Sequence, residues 1–183
     1  MKELVILTEE LSAKDLLEGL LPRLLPEDWI FRCISYEGKQ DLEKRMGFVL
    51  RAWKNPEARF VVLRDQDSGD CRTIKAGLLQ RCRDAGQPDA LIRIACRELE
   101  AWVLGDLIAF SEEFSAPAAG KAVGKAKFRN PDALGSAVAE LRKFVPGYQK
   151  RDGGRRMGKR LDPKRNMSPS FRTFCDGILR IAA

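Results

Sequence analysis

Three acidic clusters in this chain have residue types suited to holding a metal ion. Glu9 and Glu10 follow the apolar run Leu4-Val5-Ile6-Leu7. Asp65, Asp67 and Asp70 close the stretch FVVLRDQDSGD. Glu98 and Glu100 follow Ala90–Ala95 in RIACRELEAW. Carboxylates brought together repel one another unless a cation sits among them. An oxygen-only donor set suits a hard divalent ion, Mg²⁺ or Mn²⁺. Each cluster also has a plain structural explanation. Asp70 can start a helix, and the glutamates can favour helix N-termini by charge.

Spacing qualifies the metal reading. Asp65 and Asp67 share a face only if the chain stays extended between them. Glu98 and Glu100 would lie roughly 200° apart on a helix, so both reach one site only if Glu98 precedes it. Lys39, in YEGKQDLEK, could approach the same edge and neutralise charge there.

The chain has no histidine. Imidazole bases, histidine-bound zinc and Ser-His-Asp or Cys-His devices are therefore excluded within it. The five cysteines, Cys33, Cys71, Cys82, Cys96 and Cys175, are odd in number and scattered. They suggest neither a disulfide framework nor a zinc site, and a reducing cytoplasm is the expected compartment. The start of the chain, MKELVILTEELSAK, reads as a first strand rather than a signal peptide, and no apolar run is long enough to cross a bilayer. AAGKAVGKAK is not a phosphate-binding P-loop, because its glycines are too close and Ala126 replaces Ser/Thr.

The elements that must position these acids follow from periodicity. Strands are expected at Leu4–Leu7, Trp29–Tyr36, Phe60–Leu63 and Ala90–Ala95. Helices are expected at Ala13–Leu21, Asp41–Trp53, Thr73–Ala85 and Leu99–Phe110. Strands alternating with helices predict an α/β fold, an open and mainly parallel sheet with helices on both faces. In such a sheet every strand's carboxyl end lies at one edge, where these folds place ligands. The three acidic clusters would then meet.

Residues 1–114 form the expected core, and residues 115–183 a basic segment lying on the same domain. Charge divides similarly: residues 1–116 carry 17 Lys/Arg against 21 Asp/Glu, and residues 117–183 carry 16 against 5. Helices are expected over Asp132–Phe144 and Phe171–Ile181. Between them runs VPGYQKRDGGRRMGKRLDPKRNMSPS, which reads as a flexible, glycine-rich basic loop. Lys150, Arg151, Arg155, Arg156, Lys159, Arg160, Lys164 and Arg165 are its candidate phosphate contacts, and Tyr148 a candidate base-stacking residue.

ILTEELSAKDLL, FVVLRDQDSGD and CRELEAWVLGD, in this order, resemble the Toprim-like (topoisomerase–primase) proteins, and in particular a bacterial family of that group with no known function. The later segments KAKFRNPD, VPGYQK and SPSFRTF resemble that family too. The resemblance implies a three-layer Toprim-like fold. It places a catalytic acid or base at Glu9, Mg²⁺ ligands at Asp65 and Asp67, and a Glu-x-Glu-x-Trp motif at Glu98, Glu100 and Trp102. Toprim motifs usually have glycine after the first glutamate, where this chain has Glu10; that change either alters the turn or adds a ligand.

The expected function is Mg²⁺- or Mn²⁺-dependent cleavage of nucleic-acid phosphodiesters by water, with Glu9, Lys39, Asp65, Asp67 and Glu98 at the chemistry and Asp70 and Glu100 as further ligands. The resemblance implies a role in defence against phage or other foreign DNA and a possible partner ATPase. A non-catalytic nucleic-acid or protein-binding module and a small-nucleotide phosphohydrolase are the alternatives.

Overall fold

Leu4, Val5, Ile6 and Leu7 are all fully buried, the signature of a strand covered on both faces. The computed structural model describes all 183 residues. The elements run β1 (Lys2–Thr8), α1 (Leu11–Leu20), β2 (Trp29–Ser35), α2 (Lys39–Ala52), β3 (Ala58–Asp65), α3 (Cys71–Asp84) and β4 (Leu91–Ala95). There follow α4 (Glu100–Leu104), α5 (Leu107–Glu113), α6 (Pro117–Gly120), α7 (Ala137–Phe144), α8 (Lys150–Gly158) and α9 (Pro169–Ala182). The four strands form one sheet in the order β2-β1-β3-β4, and every pairing is parallel. The expected α/β class, with helices on both faces of an open parallel sheet, is the one observed.

Alternate residues of β1 serve opposite faces, as strand geometry requires. Leu4 and Ile6 join the larger apolar cluster with α1, α4, α5 and α9. Val5 and Leu7 join a smaller one with Leu42, Met46 and Leu50 of α2 and Leu78 and Cys82 of α3. Residues beyond 115, including Leu141, Tyr148, Met157, Phe171 and Phe174, lie in the same larger cluster as β1 and β3. No helix is long and apolar enough to cross a membrane.

Strand order places the site. The chain leaves β1 for β2 on one side, then returns to build β3 and β4 on the other. The carboxyl ends of β1 and β3 therefore flank the switch point, where open parallel sheets leave a crevice. Thr8 pairs with Leu63, so Glu9 stands level with Arg64, and Asp65 pairs with Ala95.

Three segments depart from the periodicity. The single helix expected over Leu99–Phe110 breaks at Gly105. A Cβ there would come within 1.9 Å of Asn166 Oδ1, and buried Asp106 restarts the helix by accepting from Ala109 N at 3.1 Å. Similarly, the helix expected from Asp132 begins at Ala137, because Ser136 caps it by accepting from Ala139 N. The largest departure is the basic loop. Residues 150–158 are helix α8, laid against α1. Its glycines are interfacial: a Cβ on Gly158 would sit 2.1 Å from Leu16 O, and one on Gly154 2.7 Å from Ser12 O. Glycine here allows two helix backbones to touch, a benefit that outweighs its entropic cost in a helix.

A helix–helix contact this close tolerates no added methyl. Gly158→Ala is expected to destabilise the protein by about 2–3 kcal/mol through overpacking. Gly77→Ala, on α3 where a Cβ meets nothing within 4 Å, should instead stabilise it by about 0.5–1 kcal/mol. Urea unfolding of both variants measures the difference, and equal effects would contradict the α1–α8 contact.

Candidate functional site

Three carboxylates from three adjacent strands gather at the sheet's carboxyl edge. Glu9 follows β1, Asp65 ends β3, and Glu100 opens α4 after β4. Glu9 is 8% and Glu100 2% exposed, and Asp65 is mostly buried. Glu9 Oε2 accepts from the Asp65 backbone N–H at 3.2 Å, tying the first two cluster positions together. Arg64 Nε stands 3.7 Å from the same oxygen, while its Nη1 bonds Glu43 at 2.6 Å. A narrow cleft of about 10 Å³, room for about one water molecule, lies between Glu9, Glu10, Ser12, Arg64, Asp65 and Leu99.

The electrostatics of this cluster are unfavourable for ionised acids. Burial raises the Asp65 carboxyl well above the usual carboxylate range, and the charge of Glu100 adds to it, followed by those of Glu9 and Glu10; Lys150 opposes the shift. Glu100 is raised by burial against the pull of Lys150. Glu9 is raised by burial and by Asp67, against Arg64. One oxygen of Glu100, Oε2, is buried and accepts no hydrogen bond. The nearest cation to it is Lys150 Nζ, 3.5 Å away, which is also 3.4 Å from Glu10 Oε2. Lys150 starts α8, so the helix with the glycine face delivers an ammonium group into the acidic cluster. Burial lowers the Lys150 ammonium's pKa, but Glu100 and its neighbours more than offset this, and the net shift is upward.

The remaining acids are engaged elsewhere. Asp67 does not continue the strand: its φ of 54° turns the chain into left-handed geometry, so the two-residue spacing no longer puts it beside Asp65. Its side chain pairs with Lys39 at 3.1 Å, which brings Lys39 to the edge as a partner of the acidic loop. Asp70 caps α3, accepting from Thr73 N at 2.8 Å and Thr73 Oγ1 at 2.7 Å. Glu98 precedes its helix, as reaching the site would require, but it accepts from Val138 N at 3.0 Å and from the Ser136 hydroxyl. It anchors α7.

The basic segment is similarly divided. Arg156 and Arg160 both bind Glu113 at 2.9 Å, and Arg165 binds buried Asp106 at 2.8 Å. Arg151 reaches Asp15 on α1 at 2.9 Å, and Arg155 pairs with Asp152. Lys159 and Lys164 remain exposed. Tyr148 is 2% exposed and its ring lies beside Phe110 and Phe114, so it presents no face to a base. The expected flexible loop is instead a helix over residues 150–158, and six of the eight candidate cations pair with acids of the chain. Sequence reading missed Lys150 as the counter-ion of the acidic edge. The usable signal was the four-residue spacing of Gly154 and Gly158, a small stripe on a helical period.

The donor set fits a hard cation in kind. Glu9, Asp65 and Glu100 offer oxygen donors on neighbouring elements, one carries a buried oxygen without a hydrogen bond, and burial of all three disfavours their ionised forms in the absence of a counter-charge. The spacing is not that of a finished chelate: no three acidic or cysteine side chains approach closely enough to hold an ion together. Seating a metal among these acids requires Lys150 to move aside and the carboxylates to draw in.

The model of a family described as a domain of unknown function, DUF4276, matches residues 8–179. No curated protein and no solved structure matched the chain.

The sign of the linkage is set by the three upward shifts. A carboxyl with a raised pKa in the folded state binds more protons folded than unfolded between the two values. Its stabilising contribution is complete below about pH 4 and is lost as pH rises through the folded value. Asp65→Asn should therefore be more stable than the parent by about 1–2 kcal/mol at pH 8 and show no gain near pH 4. Lys150→Met should lose about 1–3 kcal/mol at pH 8, because it leaves Glu100 buried without its cation. Denaturant unfolding across this pH range checks both. A pH-independent difference for Asp65→Asn would contradict the buried-charge account.

Proposed function

The chain belongs to the DUF4276 family, and we propose that within it this protein is a divalent-cation-dependent phosphodiesterase acting on nucleic acid. The observation that carries this reading is the set of desolvated carboxylates, Glu9, Asp65 and Glu100, at the switch point of a parallel sheet. Burying three acids together is costly. The arrangement makes sense if a bound cation offsets that cost at the moment of function. The resemblance of the acidic motifs to those of Toprim-like proteins supports the same chemistry.

Glu9, Asp65 and Glu100 would hold Mg²⁺ or Mn²⁺, with Asp67 as an additional ligand if its pair with Lys39 opens. A cation bound there supplies charge neutralisation and Lewis-acid polarisation of a phosphate. The chain's own groups divide the remaining tasks. Glu9, whose pKa burial raises above the usual carboxylate range, is suited to take a proton from attacking water or return one to the leaving oxygen. Lys150, held between Glu10 and Glu100, would be free to meet a phosphate oxygen if a cation replaced it among the acids. Lys39 and Arg151 stand at the rim, both substantially exposed, where they can orient a polyanion. Both tyrosines are buried, which favours water as the nucleophile over a covalent tyrosyl intermediate. A role in the defence against foreign DNA, together with a partner ATPase, fits this chemistry.

The test is cleavage of labelled DNA and RNA oligonucleotides in Mn²⁺, in Mg²⁺ and in EDTA, alongside Mn²⁺ titration by calorimetry. Metal-dependent cleavage is expected, reduced roughly 100-fold or more in Asp65→Asn and Glu100→Gln, with folding intact by circular dichroism. Mn²⁺ binding without turnover would make the protein a binding module. Cleavage of free nucleotides alone would make it a small-molecule phosphohydrolase. Failure of Mn²⁺ to bind in the presence of nucleic acid would remove the metal reading altogether.

A further inference from the structure

β4 is an edge strand, and the groove along its free side is basic. The groove has a volume of about 380 Å³ and runs between α3, which covers one face of the sheet, and α9, which covers the other. Arg72, Lys75 and Arg93 line it, against one carboxylate, Asp132. Asp132 is already committed: its two oxygens accept from Ser168 Oγ at 2.6 Å and Ser170 N at 2.7 Å.

Arg93 is the unusual member. It projects from β4 and is half-buried, a setting in which arginine normally pairs with an acid. Instead its Nε donates to Thr173 O at 3.1 Å and its Nη1 to Ile92 O at 3.0 Å. Gly177 on α9 leaves space for it, since a Cβ there would come within 2.6 Å of Nη2. Neither carbonyl cancels the positive charge, and Asp176 on α9 acts on it, against Arg180, without pairing with it, so a fixed guanidinium remains with unspent donors. Arg72 and Lys75, three residues apart, lie on the same side of α3, and both are exposed.

An unpaired edge strand also invites the addition of a peptide strand. Here that mode is hindered. Arg93 folds back onto the Ile92 carbonyl, and Ser170 Oγ accepts from the Cys96 N–H. The open chemistry of the groove is therefore cationic side chains rather than free backbone.

The loops that end this groove are those that shape the acidic cleft. Arg72 lies two residues beyond the Asp70 cap, and Cys96 precedes Arg97, whose carbonyl accepts from Asp67 N at 2.9 Å. Arg97 itself holds a left-handed φ of 60°, uncommon for a long side chain. A strand leaving the acidic edge along β4 would run directly into the groove.

We propose that the α3–β4–α9 groove is a phosphate-binding site that grips the backbone of a single-stranded polynucleotide beside the carboxylate edge. Arg93 supplies a fixed, bidentate-capable donor, and Arg72 and Lys75 supply mobile charge. The proposal rests on the nucleic-acid part of the proposed function but needs no metal.

Fluorescence anisotropy of a short labelled single-stranded DNA, in EDTA so that nothing is cleaved, tests it. The wild type should bind, and Arg72→Gln/Lys75→Gln should weaken binding about tenfold or more and lower the slope of log K against log salt by about 1.4. Arg93→Gln should weaken it comparably; the exposed pair keeps the test valid if α9 is disturbed in that variant. Unchanged affinity in the Arg72/Lys75 variant would overturn the site. So would the absence of DNA binding by the wild type, whether or not an acidic peptide binds instead. Ready displacement of the DNA by dilute inorganic phosphate would also overturn it, marking a free-anion site. Loss of DNA binding in the groove variants of a protein that binds no Mn²⁺ would leave this site standing while the metal reading falls.

Discussion

Desolvated negative charge at the carboxyl edge of the sheet is the constraint on which much of the remaining structure depends. Glu9, Asp65 and Glu100 are drawn from three neighbouring strands to one edge of the sheet, and each has its pKa raised mainly by burial there. Without a counter-charge, the arrangement would either take up protons or come apart. Two basic groups answer it from opposite sides of the sheet. Arg64 comes from β3 and is shared with Glu43 on α2. Lys150 comes from α8 and is shared with Glu10.

Delivering Lys150 requires an unusual helix. α8 is rich in glycine and arginine, a composition that would not hold a helix in water by propensity. It is held because Gly154 and Gly158 let its backbone rest on that of α1, immediately after β1 and its glutamate. The same packing that stabilises α8 thus fixes the distance between the ammonium and the acids. The arginines of α8 reach out to Asp15 and Glu113, and with Lys150, Arg160 and Arg165 they make five of the sixteen cations of residues 117–183 that bind the second part of the chain to the first. Surface pairs of this kind contribute little each, but Arg165 with the buried Asp106 links a helix cap to the segment before α9. That link is structural.

Charge left over after this internal pairing is what can meet a ligand. Part of it lies along the free edge of β4, beside the acidic cleft, where Arg93 has carbonyl acceptors in place of a carboxylate partner. The two places are joined by the loops after β3 and β4, and both loops contain a non-glycine residue in left-handed geometry, Asp67 and Arg97, bonded to each other through the backbone. Backbone of this kind is sparsely populated and persists where the surroundings enforce it.

The four strands and the first three helices were legible in the sequence to within a few residues, because their apolar residues repeat at periods of two and 3.6 and their ends carry Pro, Gly and Asp. Parallel order then followed, and with it the meeting of Glu9, Asp65 and Glu100 at one edge. Asp70 as a cap was legible as well, as the structural alternative to a ligand. Other features were not. The turn at Asp67, the attachment of Glu98 to α7, the break at Gly105 and the helix at 150–158 all depend on partners distant in sequence. Local pattern records what a segment prefers in isolation. It does not record that a glycine lies against another backbone, that a carboxylate is already accepting two hydrogen bonds, or that an arginine's partner is an acid some 40 residues away. Sequence alone determined which residues could carry charge to the edge of the sheet; only the tertiary structure decided which of those charges are neutralised within the fold and which remain to act, because pairing depends on distance in space and on the water that burial removes.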